Sequence, residues 1–350
     1  MKTHLDELLL KHQFTRQFKA IFTKFMSFTC YSILWLLPYH VLANDKAIHA
    51  YNNFELPTAK EIFSNVLAND KQNSMALRYL AKIASYQGNL DDAEALIEQA
   101  IGISPNSAVY QYDAARIYAK KVVDGSIFSI SKYVKKAREA YKRAVVLAPE
   151  SIPYKLALMN FYLRAPAIFG GSKQLALTEV ENINKLDNEK GILALANFHS
   201  LTEQQAELFK LYDDHLGNSA SNIELLLHRG KYYASSEKHK LAHADFVQVI
   251  SMTNDQLKNK VRYNALFELG AMVAKHSIQS DAAIAALTEY ITSAPFDDLL
   301  PDKAWAKYYL AVIYQRDGLK EKARNLLTQS QDETYDKKLA RKIKKALRKL

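Results

Sequence analysis

The sequence predicts an all-α chain, an α–α superhelix of about eight stacked helical hairpins, some of them degenerate. Three observations carry this. Small and apolar residues recur at helical spacing in paired segments. Each pair is split by a polar or glycine-containing turn and closed by proline or a polar residue. The landmarks then return in phase along nearly all of the chain after residue 45, and no run alternates with period two for long enough to read as a sheet.

Residues 74–107 set the pattern. Leu77, Leu80 and Ala81 share one helix face and are followed by Gly88; Ala93, Ile97 and Ala100 share a second, ended by Pro105. The next copy has Ala114, Ala115 and Tyr118, then Ala137, Tyr141, Ala144 and Pro149. Ala115 to Ala137 spans 22 residues against 12 from Ala81 to Ala93, so ten are inserted, and they are expected in the turn at 122–132. A third copy carries Leu158, Met159 and Tyr162, a long turn at 163–173, then Ala176, Val180 and Ile183. Further copies centre on Gly230 with Ala242, Gly270 with Ala283, and Ala311 with Ala323. Residues 45–71 and 188–221 are degenerate, the latter with Ala206 and Phe209 on a blurred second helix.

This helix–turn–helix of 34 residues, with small residues where two helices must touch, resembles the tetratricopeptide repeat (TPR) family. The resemblance implies a solenoid from 44 to 335 with a concave binding surface lined by the first helix of each unit, and an interaction scaffold rather than an enzyme. By the same resemblance, the groove-facing residues are Arg78, Lys82, Tyr86, Tyr112, Arg116, Lys120, Asn160 and Arg164. Farther along, this face becomes more apolar, with Ile192, Leu227, Phe267 and Tyr308. Five cations on one surface would attract an acidic or extended protein segment. The spacing by which some relatives clamp a C-terminal carboxylate is not reproduced.

Charge is concentrated at the two ends. The net charge is +10, of which residues 1–43 carry +3 and residues 336–350 carry +7, leaving the body neutral. Lys19 and Lys24 precede a short apolar run from Phe25 to Leu37, and Val41-Leu42-Ala43 follows. Residues 1–43 therefore read as a signal peptide, or as an uncleaved inner-membrane anchor facing the periplasm. The only cysteine, Cys30, lies in that leader, so a processed chain has no disulfide or thiolate, which suits a bacterial periplasm. Residues 336–350 predict a basic amphipathic helix with Leu339, Ile343, Leu347 and Leu350 on one face. It would cap the last hairpin, or rest on an anionic envelope surface.

Other motifs are weaker. Gly170-Gly171-Ser172-Lys173 reads as a turn and helix cap rather than a phosphate loop. His239 and His243 supply half a metal site at most, and Asp91-Asp92, Asp213-Asp214 and Asp297-Asp298 lack an apolar cleft to set their pKa values apart. No cofactor, metal or nucleic acid is expected; self-association stays open. The alternatives are an envelope accessory factor that takes a glycan or small anion, and an enzyme with a site in the inserted turns.

Overall fold

The computed structural model describes residues 43–124, 127–217, 222–253, 260–278 and 281–350, and its regular elements are all helical. Helix α1 covers residues 43–52. It is followed by α2 (Leu56–Asn69), α3 (Ser74–Tyr86), α4 (Leu90–Ile103), α5 (Ala108–Asp124) and α6 (Ile127–Leu147). Next come α7 (Ile152–Arg164), α8 (Lys173–Leu186), α9 (Asn188–Leu201), α10 (Gln205–Leu216), α11 (Ile223–Ser235) and α12 (His239–Met252). The chain ends with α13 (Lys260–His276), α14 (Asp281–Ser293), α15 (Lys303–Arg316), α16 (Lys320–Glu333) and α17 (Lys337–Leu347). Successive pairs from α1/α2 to α15/α16 form hairpins. The expected leader lies outside the described residues except for its last residue, Ala43. Among the described residues, no helix is long and apolar enough to cross a membrane.

Local chemistry starts the helices. Asn73, Asp187, Asn222 and Asp302 each accept a backbone N–H at the first turn of α3, α9, α11 and α15. Such a cap satisfies one of the donors a helix start leaves free, at about 1 kcal/mol. Pro57 and Pro153 sit in the first turns of α2 and α7, where no N–H is needed.

Packing follows the small-residue landmarks. Ala81, Ala93, Ile97, Ala100, Ala114 and Ala115 are fully buried in one cluster that spans two hairpins. No hairpin completes its own core, so each burial depends on a neighbour. Glycine takes the closest approaches. A Cβ at Gly270 would lie 2.2 Å from Leu287 Cγ, and one at Gly230 would lie 2.8 Å from Phe246 Cε1. Buried charges are paired inside hairpins: Arg229 makes two bonds to Asp245 and Arg262 two to Glu289.

Two expectations change. The insertion at 122–132 does not project as a loop: α5 continues to Asp124 and α6 begins at Ile127, so the extra residues lengthen both helices. The run 122–132 holds few strong helix formers, so intrinsic propensity does not explain the extension. In the degenerate hairpin, Ala206 is exposed and Leu208, Leu211, Tyr212 and Leu216 face inward. A tight turn with Glu203 at φ 62° starts α10 on a different face from the one the alanine suggested. The stretch at 163–173 does form a compact turn. It contains a 3-10 turn at Ala167–Phe169, and Ser172 caps α8.

Odd-numbered helices touch their odd-numbered successors along most of the array, and the even-numbered helices make no comparable contacts. The odd helices therefore line the inside of the curve. Helix α17 closes the far end: Leu339 and Ile343 are fully buried against α15 and α16, and the cations along residues 336–350 face solvent.

Gly270→Ala is expected to lower stability by about 1–3 kcal/mol, because Leu287 is fully buried and cannot leave its packed site; thermal unfolding checks this. His228 accepts or donates a 2.8 Å bond with Tyr212, and burial, helped by Lys231, pushes its pKa down to about 4. Unfolded histidine titrates near ~6.5. The unfolded chain thus binds the extra proton between these values, and stability falls as pH drops through that window. In His228→Gln that component of the slope is expected to vanish in urea titrations run from pH 7 to pH 4.

Candidate functional site

Two distant parts of the chain meet at one place. The loop from Ala294 to Asp302, between α14 and α15, lies across α1, α3 and α5, with contacts between residues 182 to 247 positions apart. The loop is a formed structure. Leu299 N–H donates to Asp297 Oδ1 at 2.8 Å, and Leu300 N–H to Asp297 O at 3.0 Å. Lys260 pairs with Asp297 at 2.6 Å, and Tyr290 donates its hydroxyl to Pro301 O. Asp302 caps α15 through Ala304 N–H at 2.8 Å.

The loop presents two side chains outward. Phe296 enters an aromatic cage, with ring centroids 5.2 Å from Tyr51, 4.9 Å from Phe54 and 5.4 Å from Tyr86. Two of these contacts are edge-on, the favoured arrangement of ring quadrupoles. Two residues on, the Asp298 carboxylate meets Lys82 at 2.8 Å and Arg116 at 3.4 Å and accepts from Tyr51 Oη at 3.1 Å. Arg116 also donates to Asp298 O at 3.0 Å. The Asp298 side chain is 24% exposed although the residue as a whole lies at the surface. Lys82 sits 4.7 Å above the Tyr51 ring, a cation–π contact.

Environment sets the ionisation of the site. Burial opposes the charge on Asp298, but Lys82, Arg116 and the Tyr51 hydroxyl outweigh it and hold its pKa below the ordinary carboxylate value. Asp302 is shifted the other way: burial dominates, Glu333 and Asp336 add to it, and the bonds from Tyr86 and Ala304 only partly compensate. Tyr51 and Tyr86 are pushed far above the usual phenol range, first by burial and then by Asp298 and Asp302 respectively, so both keep their donor protons.

Under the loop lies a cavity of about 720 Å³. Lys82, Ser85, Tyr86, Arg116 and Lys120 line one wall; Phe296, Asp298, Asp302, Lys303, Lys307 and Glu333 line the other. Lys120 donates to Ser85 Oγ at 3.1 Å, and Lys307 pairs with Glu333.

Of the eight groove residues expected from sequence, Lys82, Tyr86, Arg116 and Lys120 come together on this cavity. Arg78 turns aside to Asp113 at 2.5 Å. Tyr112 packs on Tyr154 with centroids 4.7 Å apart, beside Arg116. Asn160 accepts from Asn197 at 2.7 Å, farther along the inner face, and Arg164 is exposed at the end of α7. Sequence reasoning missed Tyr51, Phe54, Phe296, Asp298 and Asp302. The available signal was Pro-Phe-Asp-Asp-Leu-Leu-Pro-Asp at 295–302, too long and too aromatic for a plain hairpin turn. His239 packs on His276 with ring centroids 4.0 Å apart. Among the described residues no group of three or more His, Cys, Asp or Glu side chains could hold a metal.

Fold and site together define an α–α superhelix whose odd-numbered helices line its inner face. Residues 44–108 match the family model described as tetratricopeptide repeat, and the rest of the described chain continues as helical hairpins. No curated protein matches the chain significantly. Among solved structures it is similar to a thermophilic TPR protein of Thermus thermophilus at 17% identity and TM-score 0.43, covering 56% of this chain and 98% of that one. It is also similar to a tetratricopeptide repeat protein of Parabacteroides merdae at 15% identity and TM-score 0.42, covering 88% and 97%. A third, YrrB, is described as a TPR protein with an unusual peptide-binding site; identity is 16%, TM-score 0.35, and coverage 58% and 95%.

Asp298→Asn is expected to lower stability by about 1–3 kcal/mol at pH 7, since Lys82 and Arg116 lose their counter-charge. A carboxylate whose folded pKa is depressed stabilises above its unfolded value, near ~3.9, and stops doing so as pH falls through the folded value. The gap between the native chain and the Asp298→Asn variant is therefore expected to shrink below about pH 4, read as converging urea midpoints.

Proposed function

We propose that this protein is a non-enzymatic interaction scaffold of the bacterial cell envelope that holds a partner segment on its concave, partly basic face. The repeat fold is that of protein-binding scaffolds. The envelope assignment rests on residues 1–43, which have the basic flank, short apolar core and small terminal residue of an export signal. The observation that carries the binding mode is the docked loop. The inner face of the first three hairpins already holds an acidic, aromatic segment from a distant part of the chain, using Lys82, Arg116, Tyr51 and Tyr86. Aromatic side chains supply contact area, and the cations supply orientation and association rate.

A second reading, a small anionic ligand or glycan in place of a polypeptide, is favoured by one feature: the cavity beneath the loop, bordered by Lys120, Lys303 and Lys307.

A photo-crosslinking residue at Tyr112 or Asn160, on the inner face, is expected to capture envelope polypeptides in cells. The same residue at Lys142, exposed on the outer helix α6, is expected to capture none. Equal capture from both faces would reject the groove. N-terminal sequencing of the exported chain is expected to start at Asn44.

A further inference from the structure

We infer that the surface formed by Tyr51, Phe54, Lys82, Tyr86 and Arg116 is a recognition site for a short segment with an aromatic residue two positions before a carboxylate, and that loop 294–302 is its built-in occupant. The inference rests on the scaffold reading above and names the chemistry of the partner.

The loop contact has the form of a ligand contact. One side chain, Phe296, fills a cage of three rings from two different helical hairpins. One carboxylate, Asp298, is read by an ammonium, a guanidinium and a phenol hydroxyl. One main-chain carbonyl, that of Asp298, is fixed by the same guanidinium. This divides into an apolar anchor, a charge contact and a backbone contact, the elements by which grooves read extended peptides. A mere spacer between α14 and α15 needs none of them. Its own stem already fixes its shape through Asp297, Lys260, Tyr290 and Asp302. The two outward residues are left over for the surface opposite.

The spacing matters. In Phe296-Asp297-Asp298 the middle side chain turns back to its own stem while the first and third go forward. A segment in extended form places residues i and i+2 on one side. The site therefore reads an aromatic-x-acid pattern, and Tyr86, which donates to Asp302, allows a second acid farther on. A tethered occupant competes with an effective concentration in about the millimolar range. A partner of ordinary affinity is held off until the loop lets go, and displacement opens the superhelix where this loop closes it.

The probe is a labelled synthetic peptide of residues 293–304 of this chain, titrated by fluorescence anisotropy against the intact protein and against Phe296→Ala/Asp298→Ala, in which the internal occupant is disarmed. The peptide is expected to bind the double variant at least tenfold more tightly than the native protein. Replacing its Phe296 or its Asp298 with Ala is expected to cost at least tenfold. Adding Lys82→Glu and Arg116→Glu to the double variant is expected to abolish binding. Circular dichroism and cooperative unfolding establish that each variant is folded; a second opening variant, Phe296→Ser/Asp298→Asn, replaces the first if it is not.

Equal, absent or sequence-independent peptide binding in a folded double variant overturns the inference. If poly-glutamate still binds in a Lys82- and Arg116-dependent way, the scaffold reading survives and only the pattern falls. If neither peptide binds, both fall. Native dimers formed by exchange of this loop would also overturn it, because the occupant would then be a second copy.

Discussion

Close contact between paired helices, made possible by alanine and glycine, is the constraint on which the rest of the molecule depends. Ala81 against Ala93, and Gly270 against Leu287, fix how near two helices come. That distance sets the small rotation from each hairpin to the next, and in a solenoid such rotations add. Their sum decides where the fourteenth and fifteenth helices arrive relative to the third. A methyl group too many at one crossing would alter the local angle and be felt across the ring, because no hairpin is stable without its neighbours.

Closure has an electrostatic consequence. The inner face of α3 and α5 is basic by sequence, yet its cations are compensated within the chain: Arg78 by Asp113, Lys82 and Arg116 by Asp298. Leaving them unpaired in a half-enclosed cleft would cost stability, since each is partly removed from water. The loop supplies charge where the fold has concentrated the opposite sign. Asp298 and Asp302 lie in the same loop and show how local this is. One is acidified by two facing cations despite its burial; the other is made less acidic by burial, with two further carboxylates adding to it. Neither difference can be inferred from residue type.

Charge is paired differently in the hairpin cores and on the inner face. Arg229 with Asp245 and Arg262 with Glu289 lie inside hairpins and have bidentate geometry. They orient helices and offer nothing to a partner. Lys82, Arg116 and Lys120 border a cavity and contact groups that arrive from elsewhere in the chain or from a neighbouring helix. The charge on this surface is matched by a residue from a distant part of the chain, whereas each buried bidentate pair is matched inside its own hairpin.

The hairpins were legible in the sequence because helix pairing is local. Periodicity and small residues at crossings act within one 34-residue unit. The expectation that Lys82, Tyr86, Arg116 and Lys120 face the groove came from the family resemblance, not from the pattern alone. The face of α10 was not legible, because its alanine signal at Ala206 competed with a stronger apolar face through Leu208 and Tyr212, which only packing resolves. Nor was the use of Phe296 and Asp298, whose partners lie more than 180 residues away. Sequence alone determined the repeat and the register of its well-formed hairpins. The tertiary structure decided what stands opposite the inner-face residues, because curvature accumulates over every hairpin and no single unit contains its sum.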